Sequence, residues 1–415
     1  MRLSEDKKLV FKNIIFLGLM QGANYILPFI TIPYLVRTIG IDKYGLVAFA
    51  QSFAAYFVIF TDYGFSLSAT KLISINRNDS KKISEIFSSV LYVKLAFVIF
   101  SMIISTIIIF SFKKFYNEYE IFYFSLLVLI GQMLFPVWLF QGLEKMKYIT
   151  LTNILIKLIF TLCIFVFIKQ EKDYLYVPLI NSLGFLIGGL IAFYIAIKQF
   201  NISLTFSFEN IKHQLLEGWH LFLAIISTNI YRNANTFFLG LVSTNTAVGY
   251  YALTSKIVMS LQALMSPIGQ SLYPHLSKKY HNISKKDAVK NLFSIARYYV
   301  LILFLIMLFV FVFSGFIIKI ISAKPMPEAV IDMRVLSFVI LFGSFNYLFG
   351  TIGLINLNFE RYFTKSIVFV SIFDIIICLI LGYFLKDLGA SIAFSLTEFI
   401  LFILVLNKIL RIKNG

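Results

Sequence analysis

Charged residues are scarce in this chain, and their scarcity indicates its broad class. Asp, Glu, Lys and Arg make up only 14% of the 415 residues, whereas 59% are hydrophobic and 47 are phenylalanine. A soluble domain usually carries about a quarter of charged residues. The sequence therefore predicts an all-α polytopic membrane protein. The first apolar stretch, 9–36, is too long for a signal-peptide core and lacks a small-residue cleavage site, so we expect it to be retained.

Cysteine and the usual signatures of enzymes are nearly absent as well. Cys163 and Cys378 each lie within an apolar segment, which favours interior packing over a disulfide or a metal site. No glycine-rich loop ends in Gly-Lys-Ser or Gly-Lys-Thr, so ATP hydrolysis by the chain is not expected. No cluster of His, Cys and Glu has metal-ligand spacing, and the loops predicted to face outward are short. We therefore expect neither an enzyme nor a bound cofactor.

What is present are apolar windows of about 20 residues, long enough to cross a bilayer. Twelve are predicted, and they cover residues 10–36, 44–64, 84–112, 119–142, 149–168, 174–197, 215–242, 247–273, 292–320, 330–355, 362–385 and 388–408. An even number of crossings returns the chain to its starting side. Both termini are therefore expected on the same side of the membrane.

Lysine and arginine are distributed unevenly between the two sides. The side that holds the termini carries 23 of them, and the opposite side carries 9. Cytoplasmic loops are the basic ones in membrane proteins, so both termini are predicted to be cytoplasmic. The net charge of +17 is then a topology signal rather than a sign of nucleic acid binding. Contact with anionic lipid headgroups is a further option.

The chain matches itself weakly at about half its length. At an offset of 204 residues, 44–48 overlays 248–252, and at an offset of 214, 147–150 overlays 361–364. Each pair occupies the same place in its half, which favours a parallel repeat of six spans. We therefore predict an N-terminal lobe of residues 1–205 and a C-terminal lobe of residues 206–415. Transporters built in this way bind their substrate between the halves, near the middle of the membrane.

Polar residues follow one helical face in several predicted spans, where they cannot point at lipid without a large cost. The seventh span has Asn229, Arg232, Asn233 and Thr236, and the first has Gln21, Asn24, Pro28 and Thr31. The second and eighth spans add Gln51, Ala55 and Asp62, and Ser255, Gln262 and Ser266. These patterns predict that spans 1, 2, 7 and 8 face a common cavity. Hydrogen bonding between helices, without a cavity, is the alternative.

Charged residues inside the predicted spans indicate what such a cavity would bind. The basic ones are Lys94, Lys157, Arg232, Lys256 and Arg334, of which Arg334 can reach outward from near a span end. The others predict an anionic group on the cargo, unless they pair with Asp62, Asp374 and Glu398. Asp62 could instead cap the loop that follows it. Asp374 and Glu398 lie in mid-span, where a carboxyl group is suited to carry a proton.

Three segments of the chain resemble bacterial polysaccharide repeat-unit flippases of the Wzx type. The first comprises Leu27-Pro28, Pro33-Tyr34-Leu35-Val36-Arg37, Gly40, Tyr44-Gly45 and the run from Thr61 to Thr70. The second is the run from Gln141 to Thr150. The third comprises Val248-Gly249-Tyr250-Tyr251, Lys256 and Ser271-Leu272-Tyr273-Pro274. Together they extend over most of the chain.

The resemblance implies the fold of the multidrug/oligosaccharidyl-lipid/polysaccharide exporter superfamily, with 12 transmembrane helices in two six-helix lobes around a central cavity. It implies translocation of an undecaprenyl-pyrophosphate-linked oligosaccharide for O-antigen or capsule assembly, with membrane lipids, a glycan polymerase and a chain-length regulator as expected partners. A cationic cavity would carry over to Arg232 and Lys256, with Lys94 and Lys157 as further candidates. The location implied is the inner membrane of a bacterium. Coupling to H⁺ or Na⁺ is expected for such a protein, and the candidates in this sequence are Asp374, Glu398 and Asp62, of which Asp374 and Glu398 match no fixed motif of the family.

Two other functions remain open from the sequence. A cation-coupled multidrug antiporter of the same superfamily would share the architecture, but the basic residues inside the spans argue against a cavity for cationic drugs. The chain could also be a structural partner of glycan-assembly enzymes. In that case the polar faces would serve only to pack the helices against each other. Replacing Arg232 and Lys256 by alanine distinguishes these functions, since a packing role predicts lost folding and a flippase predicts a folded protein without export.

Overall fold

The computed structural model describes the backbone at residues 5–263, 276–277, 280 and 283–414. Side chains are described for all of these except 5–15, 17, 19, 25, 220–221, 223–233 and 414. Among the predicted site residues, the side chains of Asn229, Arg232 and Asn233 lie outside this described part. Ser266 lies outside it altogether, as does the segment 271–274.

Helices and the turns that join them make up the described part of the chain, which confirms the prediction of an all-α protein. The helices are α1 Glu5–Asp62, α2 Phe65–Ile75, α3 Ser80–Ser111, α4 Lys113–Tyr116, α5 Tyr119–Leu126, α6 Val128–Leu134, α7 Val137–Gly142, α8 Met146–Phe167, α9 Tyr176–Gln199, α10 Phe208–Val242, α11 Asn245–Ala263, α12 Lys285–Ser322, α13 Pro327–Phe345 and α14 Glu360–Asn414. A 3₁₀-helix, Glu171–Leu175, precedes α9, and a π-helix, Asn346–Leu354, follows α13.

Eight helical segments in the described residues are long and apolar enough to cross a membrane. Two of them, Met20–Ile75 and Glu360–Lys413, have 56 and 54 residues. At about 1.5 Å per residue, each is far longer than a hydrocarbon layer of about 30 Å requires. The chain is therefore a multi-pass membrane protein. Because α10 and α11 are not among the eight, the predicted total of twelve spans stays a prediction.

Each of the two longest helices contains one residue with a non-helical backbone. Gly40 interrupts α1 with φ 75° and ψ 165°, between the first and second predicted spans. Lys386 interrupts α14 with φ 54° and ψ −129°, between the predicted spans 362–385 and 388–408. Glycine adopts positive φ without steric cost, whereas a residue with a Cβ is strained there. The chain therefore turns at both positions without a loop.

The chain divides into two compact units, which we call unit 1 and unit 2. Unit 1 comprises Met1–Ile39 and Ala50–Asn229, and unit 2 comprises Gly40–Phe49 and Ile230–Gly415. The ten residues after the break at Gly40 thus pack with the C-terminal part of the chain. The predicted lobes, 1–205 and 206–415, stay a prediction.

Unit 1 has an aromatic core around the end of α1. The Tyr63 ring stacks on Phe222 with a centroid distance of 4.9 Å, and its hydroxyl donates a hydrogen bond to the Leu215 carbonyl at 3.2 Å. Helices α6 and α9 approach closely elsewhere in this unit, because a Cβ on Gly189 would meet the Gly131 carbonyl oxygen. Small residues of this kind allow close helix packing in membranes, where burial in lipid supplies little driving force.

In unit 2 the segment Gly40–Phe49 crosses the start of α11 at two glycines. A Cβ on Gly45 would meet the Asn245 carbonyl oxygen, and a Cβ on Gly249 would meet the Ile41 carbonyl oxygen. Gly45 and Gly249 are 204 residues apart, as are Ile41 and Asn245, so the two contacts are equivalent under the offset of the sequence repeat. The Thr246 hydroxyl and Asp42 Oδ1, also 204 residues apart, lie at 2.8 Å. Repeat-related positions therefore contact each other.

Candidate functional site

Asp374 is the centre of a polar cluster in the interior of unit 2. Its side chain lies on α14 and is fully buried. Asp374 Oδ1 accepts hydrogen bonds from Asn235 Nδ2 at 3.2 Å and from the Thr397 hydroxyl at 3.1 Å. Buried carboxyl groups are costly unless hydrogen bonds or cations compensate them, so two donors on one oxygen stabilise this position only in part.

The break at Lys386 explains how α14 supplies two members of this cluster. Asp374 lies twelve residues before the break and Thr397 eleven residues after it. Because the chain reverses at Lys386, the two positions return to the same depth and their side chains meet. Asn235 reaches them from α10, and the Cys378 thiol lies 3.8 Å from the Asn235 carbonyl oxygen.

The Asp374 cluster keeps unused hydrogen-bonding capacity. Neither Asp374 Oδ2 nor Asn235 Oδ1 has a hydrogen-bond partner among the described residues, although both are buried. Carboxylate, amide and hydroxyl oxygens are hard ligands, suited to a proton or a small cation such as Na⁺. No group of three or more His, Cys, Asp or Glu side chains with metal-site geometry occurs in the described part of the chain. A proton or a monovalent ion fits this donor set better than a transition metal.

Glu398 forms a second buried contact next to this cluster, since it follows Thr397 directly. Its Oε2 accepts a hydrogen bond from Asn346 Nδ2 at 2.6 Å, and its carbonyl oxygen accepts one from the same amide at 2.9 Å. Asn346 begins the π-helix, a conformation that is frequent at functional sites. Gly343 lies against both the Gln262 amide and the Glu398 carboxyl, because a Cβ there would contact each of them.

In unit 1 the structure brings together two of the predicted charged residues. Lys94 Nζ lies 3.6 Å from Asp62 Oδ1 and 3.4 Å from the Gln132 carbonyl oxygen. Only 6% of the Lys94 side chain is exposed, against 31% for Asp62. Of the two predicted roles for Lys94, pairing with an acid is thus the one with a visible partner. A role in binding cargo stays a prediction.

The other predicted basic residues have different surroundings. Lys256 is exposed, although most of α11 around it is buried. Lys157 is half-buried on α8. Arg334 is exposed, and its Nε donates a hydrogen bond to the Ser314 hydroxyl at 3.1 Å, which agrees with an outward-reaching side chain. The Arg232 side chain, which the sequence placed in the predicted cavity, lies outside the described residues.

Several of the other predicted polar residues lie on α1. Gln21 and Asn24 are half-buried, and Gln51 is exposed. Asn24 Oδ1 is buried without a hydrogen-bond partner in the described part of the chain. The Thr31 hydroxyl donates back to the Leu27 carbonyl at 3.2 Å, which leaves its side chain occupied by its own helix. A shared cavity lined by these residues and by Asn229 and Asn233 stays a prediction.

Sequence reasoning missed the partners of the two buried acids. Asn235 is adjacent to Thr236 but is not one of the four residues of the predicted polar stripe on α10. Thr397 and Asn346 are single polar residues in apolar surroundings, with no periodic pattern to single them out. The sequence did show acids in the middle of predicted spans. A buried carboxyl group requires hydrogen-bond donors, so donors on other helices could have been expected, although not identified.

A family profile described as polysaccharide biosynthesis protein matches residues 10–280. The chain belongs to this family. A relative in Escherichia coli (strain K12), named as a candidate O-antigen transporter, is 29% identical over 404 residues, which is 95% of each chain. A relative of the same name in Shigella dysenteriae is 32% identical over 268 residues, covering 64% of this chain and 67% of the relative. These findings confirm the resemblance to polysaccharide flippases.

The fold is shared with two kinds of solved transporter. The lipid II flippase MurJ, in an inward closed conformation, has a TM-score of 0.72 at 15% identity, covering 96% of this chain and 90% of MurJ. An inward-facing multidrug transporter of the MATE family has a TM-score of 0.71 at 13% identity, covering 94% and 96%. Identities this low show the fold alone. The chain therefore has the fold that these two transporters share.

Proposed function

We propose that this chain flips an oligosaccharide linked to undecaprenyl pyrophosphate from the inner to the outer leaflet of the cytoplasmic membrane, for O-antigen or capsule assembly. The observation that carries the proposal is the similarity to the E. coli relative over 95% of both chains. The buried carboxyl groups of unit 2 support it, because a transporter without an ATP site requires another source of free energy. A glycan polymerase and a chain-length regulator are the partners that we propose for the exported unit.

The cargo requires a polar path. Moving a hydroxyl group from water into hydrocarbon without a hydrogen-bond partner costs about 4–8 kcal/mol, and a repeat unit carries many hydroxyls. A path that opens to one face of the membrane and then to the other removes most of this cost, while the lipid tail stays in the bilayer. We assign alternating access to the protein on this ground.

Basic side chains are proposed to hold the pyrophosphate. Lys256 is the first candidate, since it is exposed on a helix whose neighbouring positions are buried. Arg232 is the second candidate, on the pattern of its segment, and Lys157 is the third. Lys94 is the least suited, because Asp62 already compensates its charge at 3.6 Å.

Asp374 and Glu398 are proposed to carry the coupling cation. Asp374 Oδ2 and Asn235 Oδ1 are buried acceptors without partners among the described residues, so a proton or Na⁺ would satisfy both. Glu398, held by Asn346, would respond to the charge of Asp374 through their proximity. Asp62 would compensate Lys94 rather than carry an ion.

The test is complementation in a strain that lacks its own repeat-unit flippase and makes a matched glycan. Expression of this chain is expected to restore the surface polymer, measured with an antibody against the glycan. Lys256→Ala and Asp374→Asn are each expected to reduce surface polymer at least tenfold at an unchanged level of protein in the membrane. Lys172→Ala, at an exposed lysine outside the site, is the matched control and should retain full export.

Failure of the unaltered chain to restore the polymer, with normal insertion and a matched substrate, would contradict the proposal. Resistance to cationic dyes under those conditions would support a multidrug antiporter instead. Loss of membrane protein in both variants would assign the two residues to folding.

A further inference from the structure

Asp332 is a buried acid that the proposed function does not use. It lies in the second turn of α13, and its side chain is fully buried. Neither of its carboxylate oxygens has a hydrogen-bond partner in the described part of the chain. Asp332 falls close to the start of a predicted span, where an acid is easily taken for a residue at the membrane surface.

Two further oxygen-bearing side chains of α14 lie beside Asp332. Asp387, which follows the break at Lys386, is 8% exposed and interacts with the Asp332 carboxyl. Ser391, one helical turn later, is fully buried, and its hydroxyl also lacks a hydrogen-bond partner among the described residues, although it lies near Asp332. The two Asp332 oxygens and the Ser391 hydroxyl, all without hydrogen-bond partners in the described part of the chain, therefore belong to one cluster with the Asp387 carboxyl.

Two adjacent carboxylates cannot both stay ionised in such a site. Burial penalises each charged form, and the mutual repulsion of like charges adds to the penalty. One proton shared by the pair removes a charge and supplies a hydrogen bond to the Asp332 carboxyl, which has no partner among the described residues. A hydroxyl such as that of Ser391 can donate to the remaining carboxylate.

We propose that Asp332 and Asp387 bind one proton between them, with Ser391 as the neighbouring donor, and so form a second proton-binding site in unit 2. This site differs from the Asp374 cluster in its residues and its helix pairing. Tyr251 of α11 is buried and within electrostatic range of both Asp332 and Asp374.

The charged and titratable groups around the pair come from each helix packed against it. Glu328 lies on α13 itself, and Lys386 precedes Asp387 on α14. Tyr250 and Tyr251 face the acids from α11. Helix α12, which also packs on α13, carries Lys319 in its last turn. Lys386 offsets only part of the charge of the three acids, so the shared proton remains necessary.

Infrared difference spectroscopy of the full-length protein in lipid nanodiscs tests this proposal. A protonated carboxylic acid has a carbonyl stretch that a carboxylate lacks. The spectrum of the unaltered protein minus that of Asp332→Asn at neutral pH is expected to show one such band, shifted on transfer to heavy water. Glu171→Gln, at an exposed acid, is the matched control and should show no band. Asp374→Asn separates the contribution of the other cluster.

Thermal unfolding supplies a second measurement that does not depend on the band. A proton held by the folded state and absent from the unfolded state stabilises most at low pH, and this stabilisation is lost as pH rises. The Tm of the unaltered protein is therefore expected to fall with rising pH more steeply than that of Asp332→Asn. Asp387→Asn should flatten the dependence in the same way, which keeps the test valid if one variant does not fold.

Absence of the band in folded, unaltered protein would overturn the proposal, and so would equal pH dependence in all variants. A rise of Tm on adding NaCl, compared with choline chloride, that Asp332→Asn abolishes would assign the site to a metal cation instead. The proposed proton between Asp332 and Asp387 does not depend on which molecule the protein transports. Failure of the complementation test would therefore leave this inference standing, and the reverse also holds.

Discussion

At the scale of single residues, charged side chains inside the membrane region are stabilised in two different ways. Lys94 is paired, because Asp62 lies 3.6 Å from its ammonium group and the Gln132 carbonyl accepts a hydrogen bond from it. Asp374 accepts hydrogen bonds from neutral donors, and its Oδ2 has no hydrogen-bond partner among the described residues. A paired charge contributes to structure, whereas a carboxyl with spare capacity can exchange a cation. The two acids therefore suit different roles.

The Lys94–Asp62 pair should show strong coupling in a double-mutant cycle. Asp62→Asn leaves a buried ammonium without its counter-charge, and we expect destabilisation by roughly 2–3 kcal/mol. Asp62→Asn combined with Lys94→Met removes both charges and should lie within about 1 kcal/mol of the unaltered protein. The measurement is the SDS-induced unfolding midpoint of each purified variant. Additive effects of the two single changes would show that the pair is not energetically coupled.

Replacing Lys386 by glycine should stabilise the protein. Its φ of 54° with ψ of −129° lies in a region that residues with a Cβ rarely adopt. Lys386→Gly relieves this strain and is expected to stabilise the protein by about 1 kcal/mol, measured as a rise in Tm. Lys386→Ala removes the charge but keeps the Cβ, so it serves as the control and should give no gain. An equal rise in both variants would attribute the effect to charge.

At the scale of helices, contact geometry depends on a few small residues. The segment Gly40–Phe49 and α11 approach so closely at Gly45 and Gly249 that the backbone of one helix occupies the space of a Cβ on the other. Both residues belong to the motifs that related the two halves of the sequence. The contact explains why each half has glycine at this place, since a pair of repeats that meet face to face requires it on both sides.

Gly45→Ala is expected to be strongly unfavourable, because the new methyl group would meet the carbonyl of Asn245 and the amide of Gly249. Backbone atoms cannot rotate away as a side chain can, so the overpacking should cost about 1–3 kcal/mol in thermal unfolding. Gly315→Ala in α12 is the matched control. Its Cβ would meet nothing within 4 Å, and alanine is the better helix former, so its Tm should be equal or higher. Equal losses in both would refute the packing argument.

At the scale of the whole molecule, orientation in the membrane follows from charge. The arrangement of the helices is compatible with either orientation in the membrane. The excess of lysine and arginine on one side indicates which side is cytoplasmic. We predict that both termini are cytoplasmic. Lys172 and Lys286 are exposed on segments that this topology places on opposite sides of the membrane.

Labelling of single cysteines tests the orientation. In a Cys163→Ala background, with Cys378 fully buried, Lys172→Cys should react with a membrane-impermeant maleimide in intact cells. Lys286→Cys should react only after the cells are permeabilised. The reversed pattern would invert the predicted topology, and equal labelling in intact cells would place both positions outside.

The sequence by itself determined the class, the membrane environment and the family, because these follow from composition, from the length of apolar segments and from local motifs. It also pointed to Asp374 and Glu398, since an acid in a long apolar segment is visible without a fold. These features depend on residues that are close together in the chain.

Only the tertiary structure decided which groups meet. Asn235 and Asp374 are 139 residues apart, and Asn346 and Glu398 are 52 apart, so no local pattern relates them. The predicted spans 362–385 and 388–408 anticipated a break near Lys386, but they did not show that it brings Thr397 beside Asp374 and Ser391 beside Asp332. Hydrogen bonds act over about 3 Å in space, whereas a sequence pattern records distance along the chain.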